Sequence, residues 1–176
     1  MKHLYYMYYS SQYLDQDYRR WVKLTLTLLA IQLLTITLSA ITQPLKYLLL
    51  TIQATGGGVN TLYQIFNIFI WNFNFLLAMH IPIIGAAFNI YQCIIVGTHL
   101  SLTPKISLTS LFTYPHLYIE ELAYAMASAN GINLILQQRE GCPIELSITT
   151  FLERFLYSVA VLFLAAVTET LILIGI

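Results

Sequence analysis

Charged residues are scarce in this chain. They make up 9% of its 176 residues, and the net charge is zero. A soluble domain carries about 25% charged residues, so this composition cannot cover a water-facing surface. Apolar residues make up 58% of the sequence, which favours a lipid environment. The sequence contains no basic patch, and we therefore expect no nucleic-acid partner.

Cysteines are few, and common catalytic motifs are missing from the sequence. Cys93 and Cys142 lack the spacing of metal ligands and are expected to be free thiols, although the sequence also allows a disulfide between them. Neither HExxH nor GxSxG is present. We therefore expect no enzyme activity, no catalytic residue, no metal site and no cofactor.

Long apolar runs fill most of the chain. A helix needs about 20 residues to cross the bilayer core, and five runs are close to that length. They predict spans at 21–42, 60–79, 83–100, 115–136 and 149–176. The Tyr-rich segment 1–20 has no apolar signal-peptide core and is predicted to be cytoplasmic. The predicted fold class is all-α, a multi-span transmembrane helical bundle.

The connections between spans also carry information. The short apolar stretch 45–54 predicts an interfacial helix, whereas 101–113 predicts a polar, proline-containing connector that could hold a short amphipathic piece. Only His80 and Pro82 break the apolar sequence between the second and third runs. This predicts either a tight helical hairpin or a kink in one longer element. Basic residues favour the cytoplasmic side of membrane proteins, which predicts a multi-pass cell-membrane protein with a cytoplasmic N-terminus and an external C-terminus. The predicted inner side carries Lys2, Arg19, Arg20, Lys23, Arg139 and Arg154, and the outer side carries Lys46 and Lys105.

Polar side chains within the spans are the candidate functional residues, because an ionised group is costly inside the bilayer. His116 and Glu120 are four positions apart and share a helix face. They either cap the helix near the interface, or they pair, relay a proton or bind a metal. Glu169 is predicted to lie in the outer half of the membrane, as His116 and Glu120 are. It can reach the helix face of those two residues or the outer lipid headgroups. The candidate polar cluster comprises His116, Glu120, Glu169, Asn72, Asn74 and Gln92.

Small residues predict where helices approach each other closely. Ala123, Ala127 and Gly131 recur every fourth position in the fourth span, while Gly85 and Gly97 lie in the third. We expect these positions to pack against other helices of this chain, against another membrane protein or against a second copy.

Several motifs follow one another over about residues 72–170: an Asn at 72, the run Tyr91–Gly97, Pro115-His116 followed by Glu120, Asn130-Gly131, and Ala165-Ala166 followed by Glu169. Their order resembles the stage II sporulation protein M family of multi-span membrane proteins. Leu117 stands where the family signature has glycine, and Gln92-Cys93 stand where it has Asn-Gly. The resemblance implies a five-span, non-enzymatic protein that anchors partner proteins, as the family does for a cell-wall-hydrolysing complex in spore formers.

Three functions agree with these features. The first is a membrane scaffold or anchor in which His116, Glu120 and Glu169 form a buried polar lock. The second is a transporter or channel for ions, protons or small solutes, whose path these residues would line. The third is an accessory subunit of a larger membrane complex. The expected partners are the lipid bilayer and other membrane proteins.

Overall fold

A computed structural model describes the backbone of residues 2–42, 61–102 and 114–174, and their side chains except for 2–12, 42, 99, 101 and 102. These residues form five α-helices and no strand, which confirms the predicted all-α fold. The helices are α1 (Lys2–Thr42), α2 (Thr61–Met79), α3 (Ile84–Leu102), α4 (Pro115–Arg139) and α5 (Ile144–Leu173). The interfacial helix predicted at 45–54 and the connector predicted at 101–113 fall outside the described residues, except that α3 extends to Leu102.

Helix breakers explain most of these boundaries. No proline or glycine precedes Pro44, so α1 runs without a break from the Tyr-rich N-terminal segment into the first predicted span. α4 begins at Pro115, since proline is well tolerated where the first backbone N–H groups need no helical partner. α5 begins at Ile144, directly after Pro143, and thus earlier than the predicted start at residue 149.

A tight turn over His80–Ile83 joins α2 to α3. Ile83 has a φ of 65°, and the Gly85 N–H donates to the Ile81 carbonyl at 2.7 Å. A Cβ atom at Gly85 would lie 2.8 Å from the Met79 Cα, so only glycine lets α3 start directly against the end of α2. The two helices then run in opposite directions and form a hairpin, in which Phe75 and Phe88 stack at 5.8 Å.

α4 is the central helix of the bundle, because it contacts each of the other four. α1 packs against α3 and α4, and α5 packs against α4 and α2. Two contacts with each neighbour show that α4 runs antiparallel to α1, α3 and α5. The contacts are Asp17–Asn133 and Trp21–Met126 with α1, Asn89–Ser128 and Cys93–Glu121 with α3, and Ser147–Gln138 and Phe151–Asn130 with α5. Every residue of α4 from Ala123 to Gly131 is buried.

Within the described ranges, three stretches are long and apolar enough to cross a membrane: Tyr13–Ile41, Thr61–Met79 and Ile144–Leu173. The apolar part of α3, Ile84–Thr98, is shorter, and α4 does not reach the required hydropathy. The low hydropathy of α4 is explained by its central position in the bundle. Surrounded by protein on all sides, it contacts neighbouring helices through small and polar residues and has little need of lipophilic ones.

The distribution of side chains is the reverse of that in a soluble protein. Large apolar residues lie exposed on the outside, including Leu62 (66% exposed) and Leu156 (64%), whereas Asp17, Gln32 and Asn133 are almost completely buried. Lipid tolerates the first arrangement, and internal pairing satisfies the second. The chain is therefore an integral membrane protein.

Candidate functional site

A partly open cavity of about 830 Å³ lies between α2, α4 and α5. We call it the polar cavity. Its lining consists of Asn67, Ile68, Ile70, Trp71, Asn72 and Asn74 from α2, His116 and Glu120 from α4, and Glu169 from α5. This volume falls within the range of about 300–1,000 Å³ that is typical of small-molecule sites.

The structure brings most of the predicted polar cluster together here. Asn72, Asn74, His116, Glu120 and Glu169 all line the polar cavity. Gln92 does not, because it lies half-buried on α3, a helix that contributes no residue to the lining. Asn67, which lies about two helical turns before Asn74, adds a third amide.

Glu120 is oriented by its own helix. The Tyr124 hydroxyl, one turn further along α4, donates a hydrogen bond of 2.8 Å to Glu120 Oε1. Glu169 reaches the same cavity from α5, and the two carboxylates repel each other when both are charged. Because the Tyr124 hydroxyl bonds to Oε1, the other oxygen, Oε2, has no hydrogen-bond partner among the described residues.

His116 does not act as a helix cap. The N-cap of α4 is Tyr114, which makes no side-chain capping bond, and the Tyr114 and His116 rings meet edge-to-face at 5.6 Å. His116 Nδ1 is buried and has no hydrogen-bond partner among the described residues. The geometry therefore places His116 with Glu120 at the cavity wall, where a polar ligand could satisfy the imidazole.

No described Arg or Lys borders the polar cavity. The Arg and Lys side chains that the structure describes are Arg19, Arg20, Lys23, Arg139 and Arg154, and none of them belongs to its lining. In the described parts of the chain, no three His, Cys, Asp or Glu side chains converge as they would around a metal ion. The two carboxylates thus have no Arg or Lys counter-ion among the described lining residues.

An apolar layer lies directly beneath the cavity. Leu76 and Met79 of α2 pack with Ala123 and Ala127 of α4 and with Leu162 of α5, and all five are fully buried. These positions follow Asn74 on α2 and Glu120 on α4, and they precede Glu169 on α5. The layer therefore separates the polar cavity from the opposite end of the bundle.

That opposite end holds a buried ionic cluster, which we call the charged cluster. Asp17 accepts hydrogen bonds from Arg20 (2.9 Å), Asn133 (2.7 Å) and Gln137 (2.9 Å), and forms an ion pair with Arg154. The Arg154 guanidinium also lies 5.2 Å from the Trp21 ring centroid. Sequence reasoning treated these arginines only as topology markers and overlooked Asp17. One feature of the sequence could have revealed this ion pair: Asp17 and Arg154 carry opposite charges near the starts of the first and fifth predicted spans.

A second polar group, which we call the polar core, joins α1, α3 and α4. Gln32 donates to Asn89 at 2.6 Å, Asn89 donates to the Ser128 hydroxyl at 2.9 Å, and Cys93 Sγ lies 3.5 Å from Glu121 Oε2. All five side chains are buried. Neighbouring residues Glu120 and Glu121 thus point to different sites. Sequence reasoning did not include Gln32 or Glu121 in the cluster.

The predicted small residues lie at close contacts within this chain. A Cβ atom at Gly97 would lie 2.8 Å from the Ser39 Cβ on α1, and one at Gly131 would lie 2.6 Å from the His80 carbonyl oxygen. Ala123 and Ala127 are fully buried in the apolar layer. These positions serve packing inside one chain.

No protein-family model, no curated protein and no solved structure matches this chain.

Proposed function

We propose that this protein is a non-enzymatic membrane scaffold of the stage II sporulation protein M type, with the polar cavity as its functional site. One observation carries the proposal. Asn72, His116, Glu120 and Glu169 carry the resemblance to that family, and they come from three helices to line one cavity. Polar side chains inside a membrane are costly, so their convergence indicates a common purpose.

The closure of the cavity supports a binding role over a conducting one. The apolar layer of Leu76, Met79 and Leu162 lies between the polar cavity and the charged cluster. A conducting path would need a polar route past these side chains. A cavity that is closed towards the charged cluster instead suits the capture of a polar group from a partner.

The orientation of the bundle follows from its charges. The charged cluster, with Arg20 and Arg154, lies at the end that the positive-inside rule assigns to the cytoplasm. The polar cavity lies towards the other end of α4, and we place it in the outer half of the membrane. The proposed partner is therefore a membrane protein that presents a polar group in the outer leaflet.

Co-purification tests the scaffold role. The tagged chain is extracted in mild detergent, and stoichiometric partners are identified for the wild type, for His116→Ala and for Glu120→Ala. We expect both variants to retain less partner at an unchanged amount of folded protein. Glu145→Ala is the matched control, because Glu145 is exposed in the first turn of α5, far from the cavity. A wild type without any stoichiometric partner would contradict the proposal, as would variants that assemble normally.

Transport is the second candidate function, and the two carboxylates favour it. Glu120 and Glu169 share a cavity with His116 and have no described Arg or Lys beside them, an arrangement that could bind protons or cations. Flux of protons or alkali cations into proteoliposomes tests this function. Flux that is lost in Glu120→Gln and retained in Glu145→Gln would favour transport over scaffolding.

A further inference from the structure

The polar cavity has the chemistry of a cation site. Two carboxylates line it, and no described Arg or Lys borders it. Carboxylates that stay unneutralised in the membrane are expensive, and a cation that binds between them removes much of that cost. Asn67, Asn72 and Asn74 add amide oxygens that accept hydrogen bonds from an ammonium or guanidinium group.

The size of the cavity selects among cations. Its volume of about 830 Å³ is far larger than a single ion requires. Within the described residues, no three potential ligand side chains converge on one point as a metal ion would demand. An organic cation, with a charged head and an apolar stem, fits both the polar groups and the apolar wall formed by Ile68, Ile70 and Trp71.

The wall also shows how the ligand enters. Trp71 is 69% exposed and Ile70 is 56% exposed, although both line the cavity. Exposed apolar side chains of a membrane helix face lipid. The cavity therefore opens sideways into the bilayer, and the ligand that this opening suits is itself embedded in the membrane.

We propose that the polar cavity binds the Lys or Arg side chain of a transmembrane helix of a partner protein, with the cationic group placed between Glu120 and Glu169. This inference rests on the proposed scaffold function and names the chemistry by which the scaffold recognises its partner. Charge complementarity decides the occupant: a basic side chain in a membrane helix needs a counter-charge at the same depth, and this cavity supplies two.

Peptide binding in vesicles tests the proposal. The full chain is reconstituted in phosphatidylcholine vesicles with a dansyl-labelled transmembrane peptide of about 20 residues, mostly leucine and alanine. One peptide carries lysine in its outer half, and the control carries leucine there. Binding is measured as energy transfer from the chain's two tryptophans, one of which is Trp71 in the cavity wall. We expect the lysine peptide to bind roughly three- to twentyfold more tightly.

Variants decide whether the cavity causes that preference. Glu169 takes part in no hydrogen bond among the described residues, so Glu169→Gln keeps the described contacts. Glu120→Gln keeps an acceptor for the Tyr124 hydroxyl. We expect each variant to reduce the preference for lysine and Glu145→Gln to retain it. Equal binding of the two peptides, or a preference that survives both cavity variants, would overturn the proposal. Circular dichroism confirms that each variant is helical.

Two further measurements test whether a free amine or a lysine of this chain, and not a partner helix, fills the cavity. Butylammonium that quenches Trp71 fluorescence in a chain without preference for the lysine peptide would show a site for free amines, and this would contradict a partner helix. Lys46 and Lys105 lie outside the described residues, so the assay is repeated with Lys46→Gln and Lys105→Gln. A preference for lysine that arises only in these variants would show that the chain's own lysine fills the cavity, again contradicting the proposal.

Co-purification keeps this inference distinct from the scaffold role. Partners that stay bound to Glu169→Gln, together with equal binding of the two peptides, would refute the basic side chain and leave the scaffold intact. A lysine preference in vesicles without any co-purifying partner would refute the scaffold and leave the cation site intact.

Discussion

The buried carboxylate of Asp17 on α1 forms an ion pair with Arg154 on α5, and this contact joins residues 137 positions apart. Both side chains are almost completely buried, and Asn133 and Gln137 of the central helix donate to the same carboxylate. Three helices thus meet at a single aspartate. The charged cluster closes one end of the bundle, while the other end holds the polar cavity.

Removal of the Asp17 charge should destabilise the bundle strongly. In Asp17→Asn, Arg154 is left buried without its counter-ion, and breaking a buried pair in this way costs about 3–5 kcal/mol. The thermal unfolding temperature in detergent, followed by circular dichroism, should fall clearly. Asp15→Asn is the matched control, because Asp15 pairs with Arg19 on the exposed face of the same helix. Equal losses of stability in the two variants would show that the burial of Asp17 is unimportant.

The contact between α1 and α3 should be sensitive to one methyl group. Gly97→Ala places a Cβ atom 2.8 Å from the Ser39 Cβ, and overpacking of this kind costs about 1–3 kcal/mol. Ala87→Val adds at least as much volume at an exposed site on the same helix and should have little effect. Denaturant titration of both purified variants compares them. An unchanged midpoint for Gly97→Ala would mean that the helices can move apart without loss.

The polar core should depend on Asn89. Asn89→Ala leaves the Gln32 amide without its acceptor and the Ser128 hydroxyl without its donor, and each unsatisfied buried group costs about 1–3 kcal/mol. Asn74→Ala removes only a bond to the Ile70 carbonyl of its own helix at an exposed position, which should cost less than about 0.5 kcal/mol. The free energy of unfolding in detergent distinguishes the two. A larger loss for Asn74→Ala would reverse our ranking of these sites.

The termini should lie on opposite sides of the membrane. Successive described helices run in alternating directions, and the charged cluster lies at the end expected in the cytoplasm. A fluorescent protein fused to the N-terminus should therefore be protected from external protease in intact cells, whereas a short epitope tag after Ile176 should be accessible. Protection of the epitope, or cleavage of the fluorescent protein, would invert the proposed placement of the polar cavity.

Much of the fold could be predicted from composition and apolar runs. The all-α fold follows because lipid requires every backbone group to be bonded within the chain, and helices achieve this locally. The helix boundaries were less predictable. Residues 2–20 of the predicted Tyr-rich segment belong to α1. No proline or glycine interrupts this run, and tertiary contacts such as those of Asp17 stabilise the helix there.

The candidate site was only partly predictable. His116 and Glu120 could be paired from their helical spacing, and Glu169 could be placed in the same half of the membrane by counting residues from its span's end. Gln92 and Glu121 show what helical spacing cannot predict. Helical spacing orders residues on one helix but does not fix how that helix is rotated against its neighbours, so the assignment of Gln92 to the cluster failed and Glu121 was missed.

The sequence by itself determined that lipid surrounds this protein, that its spans are helical and which polar residues lie within them, because hydropathy and helix breakers act locally. Only the tertiary structure decided that α4 is central, that Glu120 faces the polar cavity while Glu121 faces the polar core, and that Asp17 meets Arg154. These depend on the packing of side chains between helices far apart in sequence, a property that no local pattern encodes.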